Sequence, residues 1–179
     1  GQSFEDAIPY FKTKEYDKAL PIVEKLADHG HLEAQVQLSA MYALGLGVTR
    51  DINKSMQLLQ LAAEKGHSQA QFIFATHLLN GTNIGIDKNR GFNMLLLSAK
   101  NKNPNAQFVL CVELSIKENS HFDLVESYAW CAVSAQREHK NQNLAKNILG
   151  PAENIIRTRL GDEVFERAKN LGEERIRNY

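Results

Sequence analysis

The chain has 179 residues, 43% of them apolar and 23% charged, the balance of an ordinary globular protein and not of a disordered segment. Lys and Arg number 21 and so do Asp and Glu, so no net positive field draws the chain to nucleic acid or anionic lipid. No apolar run approaches the roughly 18 residues that a membrane-spanning helix needs.

In chain order, Phe4 to Phe11 reads as a short helix and Tyr16 to Asp28 as a second, with Ala19, Ile22, Val23, Leu26 and Ala27 on one face. A pair follows: Glu33 to Leu44, with Ala34, Leu38 and Tyr42 four apart, then Asp51 to Lys65, with Ile52, Ser55, Leu58, Leu59, Ala62 and Ala63. Gly45 and Gly47 suit a turn that needs positive φ. Asp51 is placed to accept from the exposed amides of the next helix, and Gly66 to end that helix in a left-handed conformation.

A third pair, Ser68 to Asn101, repeats the plan with Gly81, Ile84 and Met94 in place of Gly45, Val48 and Leu58. A fourth, Asn105 to Gln136, keeps Asp123, Ser127, Trp130 and Ala135 but has Lys117, Asn119 and Ser120 where the turn residues stood. Beyond His139, Gln142 and Lys146 take the next Ala and Leu positions and the pattern fades. A helix through Leu144, Ile148 and Leu149 is expected to break or kink at Gly150-Pro151. Ile155, Ile156, Leu160, Val164, Phe165, Ala168 and Leu171 mark helices on either side of Gly161-Asp162.

The register is fixed. Ala34, Ala70 and Ala106 lie 36 residues apart, as do Leu38, Phe74 and Leu110, and Asp51, Asp87 and Asp123. A constant period of this size marks an array of stacked units. The expected organisation is one domain: a partial capping repeat at 4–31, repeats at 32–67, 68–103 and 104–139, and capping helices at 140–179.

The run Ala34-x3-Leu38-Ser39-x2-Tyr42-x2-Gly45-x-Gly47-Val48-x2-Asp51-x2-Lys54-Ser55, with Leu58, Ala62-Ala63 and Gly66, resembles a Sel1-like repeat, a relative of the tetratricopeptide repeat. The resemblance implies an all-α fold, a right-handed solenoid of antiparallel helix pairs. Its concave surface, lined by the first helix of each pair, would bind a protein or peptide partner. It also implies a non-enzymatic adaptor in a bacterial envelope or periplasmic setting. A secreted-toxin immunity protein is the alternative within that class, and an enzyme acting on β-lactams or peptidoglycan fragments the alternative outside it. The paired cysteines of the β-lactam-related members are absent. The first residue is Gly, so a secretion signal would leave no trace.

No cofactor or metal is expected. His29 and His31 lie close together but lack carboxylates at ligand spacing, and no GxSxG, HExxH or phosphate-cradling loop is present to suggest catalysis. Cys111 falls at the small packing position of its first helix and Cys131 at the position of Leu59 and Leu95. A bridge between them would fit an oxidising compartment, but buried thiols that simply pack are the commoner arrangement and the one expected. Trp130, in register with Ile22, Leu58 and Met94, is expected in the core.

Candidate partner-binding residues are those that vary where their neighbours hold. Gln37, Ile73 and Val109 form one column on the first helices, and Met41, His77 and Glu113 another. An apolar strip with polar fixtures suits an extended peptide or a partner helix, and the same positions also suit packing between repeats.

Overall fold

The computed structural model describes residues 1–179, and every regular element in it is helical. A 3-10 turn, Phe4–Asp6, leads into α1 (Ile8–Lys12) and α2 (Tyr16–Asp28). Then come α3 (Leu32–Leu44), α4 (Ile52–Glu64), α5 (Ser68–Asn80), α6 (Lys88–Lys100) and α7 (Pro104–Glu113). The series ends with α8 (Leu124–Gln136), α9 (Gln142–Leu160) and α10 (Asp162–Asn178). The single helix expected over 4–11 is split, because Pro9 has no amide to continue an earlier helix and sits instead in the first turn of α1.

The chain forms two compact units, 1–94 and 95–179, the division falling within α6. In the N-terminal unit the punctuation works as read. The Asp51 carboxylate accepts from the Lys54 amide and the Asp87 carboxylate from the Arg90 amide, each at 3.0 Å. The Asp51 and Asp87 amides also donate to the Tyr42 and Leu78 carbonyls at 2.9 Å. One side chain thus starts the second helix while its own amide closes the preceding turn. Asp123 does both in the C-terminal unit.

First helices have their own cap. His31 Nδ1 accepts from the Ala34 amide at 3.1 Å and His67 Nδ1 from the Ala70 amide at 3.2 Å, and Asn103 Oδ1 takes the same place before α7. Nε2 of His67 then reaches Glu33 at 2.7 Å. These histidines are periodic because helix starts are.

Gly45 and Gly81 end α3 and α5 in the left-handed conformation. Gly47 is needed twice over. Its φ is +70°, and a Cβ there would lie 2.9 Å from the backbone carbonyl of Tyr16. Gly47→Ala therefore lowers stability by about 2–3 kcal/mol in urea unfolding, from left-handed strain plus the displaced Tyr16 backbone. Gly85→Ala, with open space and no positive φ, stays close to neutral.

Between the helices of a pair, Ser39 Oγ donates to the Ser55 carbonyl at 2.9 Å, both residues buried. Between pairs, a glutamine acts as a rivet. Gln35 Nε2 donates to the Ala27 carbonyl at 3.2 Å, Gln71 to Ala63 at 3.1 Å and Gln107 to Ala99 at 3.0 Å, each tying a first helix to the end of the helix before it. All three glutamines are buried, so each bond stands in water-poor surroundings, and each carbonyl also accepts from the amide three residues on, that of Gly30, Gly66 or Lys102.

The C-terminal unit departs from the plan in three places. Without the turn glycines, α7 stops at Glu113 after 10 residues, with Leu114 in a right-handed conformation where Gly45 and Gly81 are left-handed. The Cys111 and Cys131 sulfurs are bonded to each other, joining α7 to α8. The expectation of two packing thiols is corrected: the small position and its facing partner bring the side chains within bonding range, their Cα atoms 4.6 Å apart. Finally, α9 runs through Gly150-Pro151 without a break. Pro151 is exposed, so the carbonyl its ring leaves without a helical donor can turn to water, and one lost bond does not end a 19-residue helix.

Candidate interaction surface

The six residues of the two columns have different fates. On α3, Met41 is 0% exposed and packs with Ala7, Ile22, Val23, Leu38 and Tyr42. It cannot meet a partner. Phe4, Tyr10 and Phe11 of the N-terminal segment join that same cluster and close this side of α3. Gln37 stays half-buried. On α5, Ile73 packs against the cluster of Met56, Leu59, Phe74 and Leu78. His77 Nδ1 donates to the Thr82 carbonyl at 2.8 Å, fastening the turn after its helix.

In the C-terminal unit, Val109 is half-buried on α7, and Glu113 accepts from Asn119 Nδ2 at 3.0 Å. Both polar members of the second column, His77 and Glu113, are therefore held by turns. The columns do not end at α7. Gln142 Nε2 donates to the Ala135 carbonyl at 3.1 Å, the bond that Gln107 makes one repeat earlier, so α9 is a further first helix whose register has slipped by one residue. Corrected for the slip, Leu144 and Ile148 continue the columns of Val109 and Glu113. Leu144 is 54% exposed, and Pro151 and Ile155 prolong its stripe along α9. Sequence reasoning missed this extension, although Gln142 carried the signal.

No group of three or more His, Cys, Asp or Glu side chains is placed to hold a metal ion. No helix is long and apolar enough to cross a membrane. Trp130 is fully buried, as its register implied.

A model of the Sel1 repeat family matches residues 32–67 and 68–103, the boundaries set by the 36-residue period. The chain carries Sel1 repeats. Among solved structures it is similar to a Sel1 repeat protein from Oxalobacter formigenes, with a TM-score of 0.68 at 25% identity over 74% of this chain and 97% of that one. It is also similar to c5321, a protective antigen present in uropathogenic Escherichia coli strains displaying an SLR fold. There the TM-score is 0.64 at 26% identity, over 90% of this chain but 35% of that one, so this chain spans about a third of the antigen's length. No curated protein matches. Sel1 repeats are typically protein–protein interaction modules and generally non-catalytic, and both solved relatives share the helical repeat fold found here.

Proposed function

We propose that this Sel1-repeat chain is a non-enzymatic adaptor that holds a protein partner through an apolar peptide or amphipathic helix laid on the first-helix face of its C-terminal unit. The observation that carries the reading is the 54% exposure of Leu144 in the column of Val109, where the chain places a large apolar side chain and leaves it open. Val109, Leu144 and Ile148 supply apolar anchors, and Pro151 and Ile155 lengthen the strip. Such a strip suits anchors at helical or alternate spacing. An oxidising compartment, periplasmic or extracellular, fits the bonded Cys111 and Cys131, because such bonds persist outside the reducing cytosol.

The test is selection from a displayed peptide library with the purified oxidised chain, followed by titration of the winners. Leu144→Asp weakens the selected peptides at least about tenfold, the effect of losing one central apolar anchor. Leu61→Asp, at another exposed apolar site, on a second helix, leaves them unchanged. Equal loss in both, or none in either, rejects the α7/α9 face.

A further inference from the structure

The helix α10 is seated on α8 by a regular stripe. Phe165, Ala168, Gly172, Arg175 and Tyr179 recur at spacings of three and four, the heptad pattern of a helix lying along another helix. Phe165, Ala168 and Gly172 are buried, and the rest of the helix is mostly charged and exposed.

Each anchor meets α8. Phe165 stands edge-on to Tyr128, ring centroids 5.3 Å apart. Gly172 brings the helices so close that a Cβ on it would lie 3.0 Å from the Ala132 side chain. Arg175 is ion-paired to Glu126 and lies 4.6 Å over the Trp130 ring, which Tyr179 stacks at 5.8 Å.

Glu126 is itself an exception in the repeat. The same column holds Lys18, Lys54 and Arg90, and only here does its charge reverse. Lys54 lies over the Tyr42 ring and Arg90 over the Phe74 ring, whereas Glu126 takes the cation of α10.

One residue joins this helix to the preceding one. Gly161 both ends α9 and starts α10, at φ +96° and ψ 164°, a region essentially reserved for glycine. A Cβ there would meet nothing within 4 Å, so the glycine serves the backbone conformation and not packing. The hairpin is latched beside it: Arg157 reaches Asp162 at 2.7 Å and Glu153 at 2.9 Å and covers the Phe165 ring at 4.0 Å.

We propose that α10 is an exchangeable arm: opening at Gly161 lets it leave its own α8 and occupy the same seat on a second copy of this chain, forming a closed, two-fold dimer. Every contact of the seat is reproduced between copies, so exchange sacrifices only the hairpin conformation and the freedom of two molecules, and concentration decides the outcome. The surface of Val109 and Leu144 takes no part, so this inference and the docking reading fail separately.

Complementary charge reversal tests it. Glu126→Arg places two cations in its own seat and Arg175→Glu two anions. A mixture of the two restores both ion pairs, and it does so only if the arms cross between copies. The oxidised variants are unfolded and refolded together at high concentration, then sized by light scattering after gel filtration, with far-UV circular dichroism to establish that each is helical alone. The expected result is at least about tenfold more dimer in the mixture than in either variant, since two like-charge contacts become two opposite-charge pairs.

Gly161→Ala provides the second arm of the test, because alanine disfavours the hairpin and favours a continuous α9–α10 helix. It turns the otherwise unchanged chain into a dimer that separates only on unfolding. A mixture that stays monomeric together with a monomeric Gly161→Ala overturns the exchange. Dimer in the mixture no more abundant than in the wild type overturns it as well, by placing the contact elsewhere.

Discussion

Trp130→Ala lowers the stability of the C-terminal unit by about 3–5 kcal/mol, the largest single-residue effect expected in the chain. The indole is fully buried, and its loss opens a cavity under Arg175 and Tyr179, the two side chains that cover its faces. The release of those covers frees the end of α10, so the damage spreads along one helix. Trp130→Phe separates the contributions. Trp130 Nε1 is buried without a hydrogen-bond partner, so a phenyl ring in its place keeps an aromatic face for Arg175 and removes an unpaired donor. That variant costs under about 2 kcal/mol, the smaller cavity being partly offset by the relieved N–H. Urea unfolding followed by circular dichroism gives both values. Native-state hydrogen exchange locates them: α8 and α10 amides lose protection in Trp130→Ala while α3 and α4 amides keep theirs. A cost under about 1 kcal/mol for Trp130→Ala would mean that α10 is held by its backbone seat alone.

The elements that sequence alone revealed are those whose cause is local. Asp51, Asp87 and Asp123 recur because each second helix needs an acceptor at its start, and Gly45 and Gly81 because each turn needs a left-handed residue. Contacts that depend on what covers a helix were harder to read. Met41 shares a column with His77 and Glu113, and its difference from them suggested a binding position. The N-terminal segment packs over that side of α3 and makes it core, while His77 and Glu113 are used by their own turns. Gln35, Gln71 and Gln107 are legible in the sequence as an unbroken 36-residue repeat. A polar side chain repeated without change among apolar positions signals a buried bond, but a search weighted toward apolar periodicity skips it. The single-residue slip before Gln142 hid α9 for a related reason, since strict counting assigns Gln142 to the position of Ala106 and Leu144 to that of Phe108, one residue off the column of Val109. In α10, Val164, Phe165, Ala168 and Leu171 mark an apolar face in the sequence. The seat is completed by Gly172 and Arg175, chosen for close approach and for charge, which no hydrophobic count registers.

Removing the bridge by Cys111→Ala/Cys131→Ala lowers the stability of the C-terminal unit by about 3 kcal/mol, the chain-entropy value for a loop of this size. The loop is short, with a sequence separation of 20, but it encloses the part of the repeat that has lost its own fastening. In the N-terminal unit the α3–α4 turn is set by Gly45 and Gly47 in left-handed conformations and by the buried Ser39–Ser55 bond. In the C-terminal unit Ser127 still donates to the Cys111 carbonyl, at 2.6 Å, yet Lys117 and Asn119 replace the glycines and α7 is three residues shorter than α3, 10 against 13. The bridge compensates for that turn by limiting how far α7 and α8 separate in the unfolded chain. Calorimetry of the double variant is expected to show a melting transition roughly 12–20 °C below that of the oxidised wild type for a cooperative unit of this length. Reductant should bring the wild type to the same value. Both cysteines are 0% exposed, so reduction of the folded protein waits on opening of the unit, and its rate should fall when the seat of α10 is strengthened and rise in Trp130→Ala. A double variant that melts within a few degrees of the wild type would show that Ser127 and the Asp123 cap hold the fourth pair unaided, and that the bonded sulfurs constrain a turn already fixed.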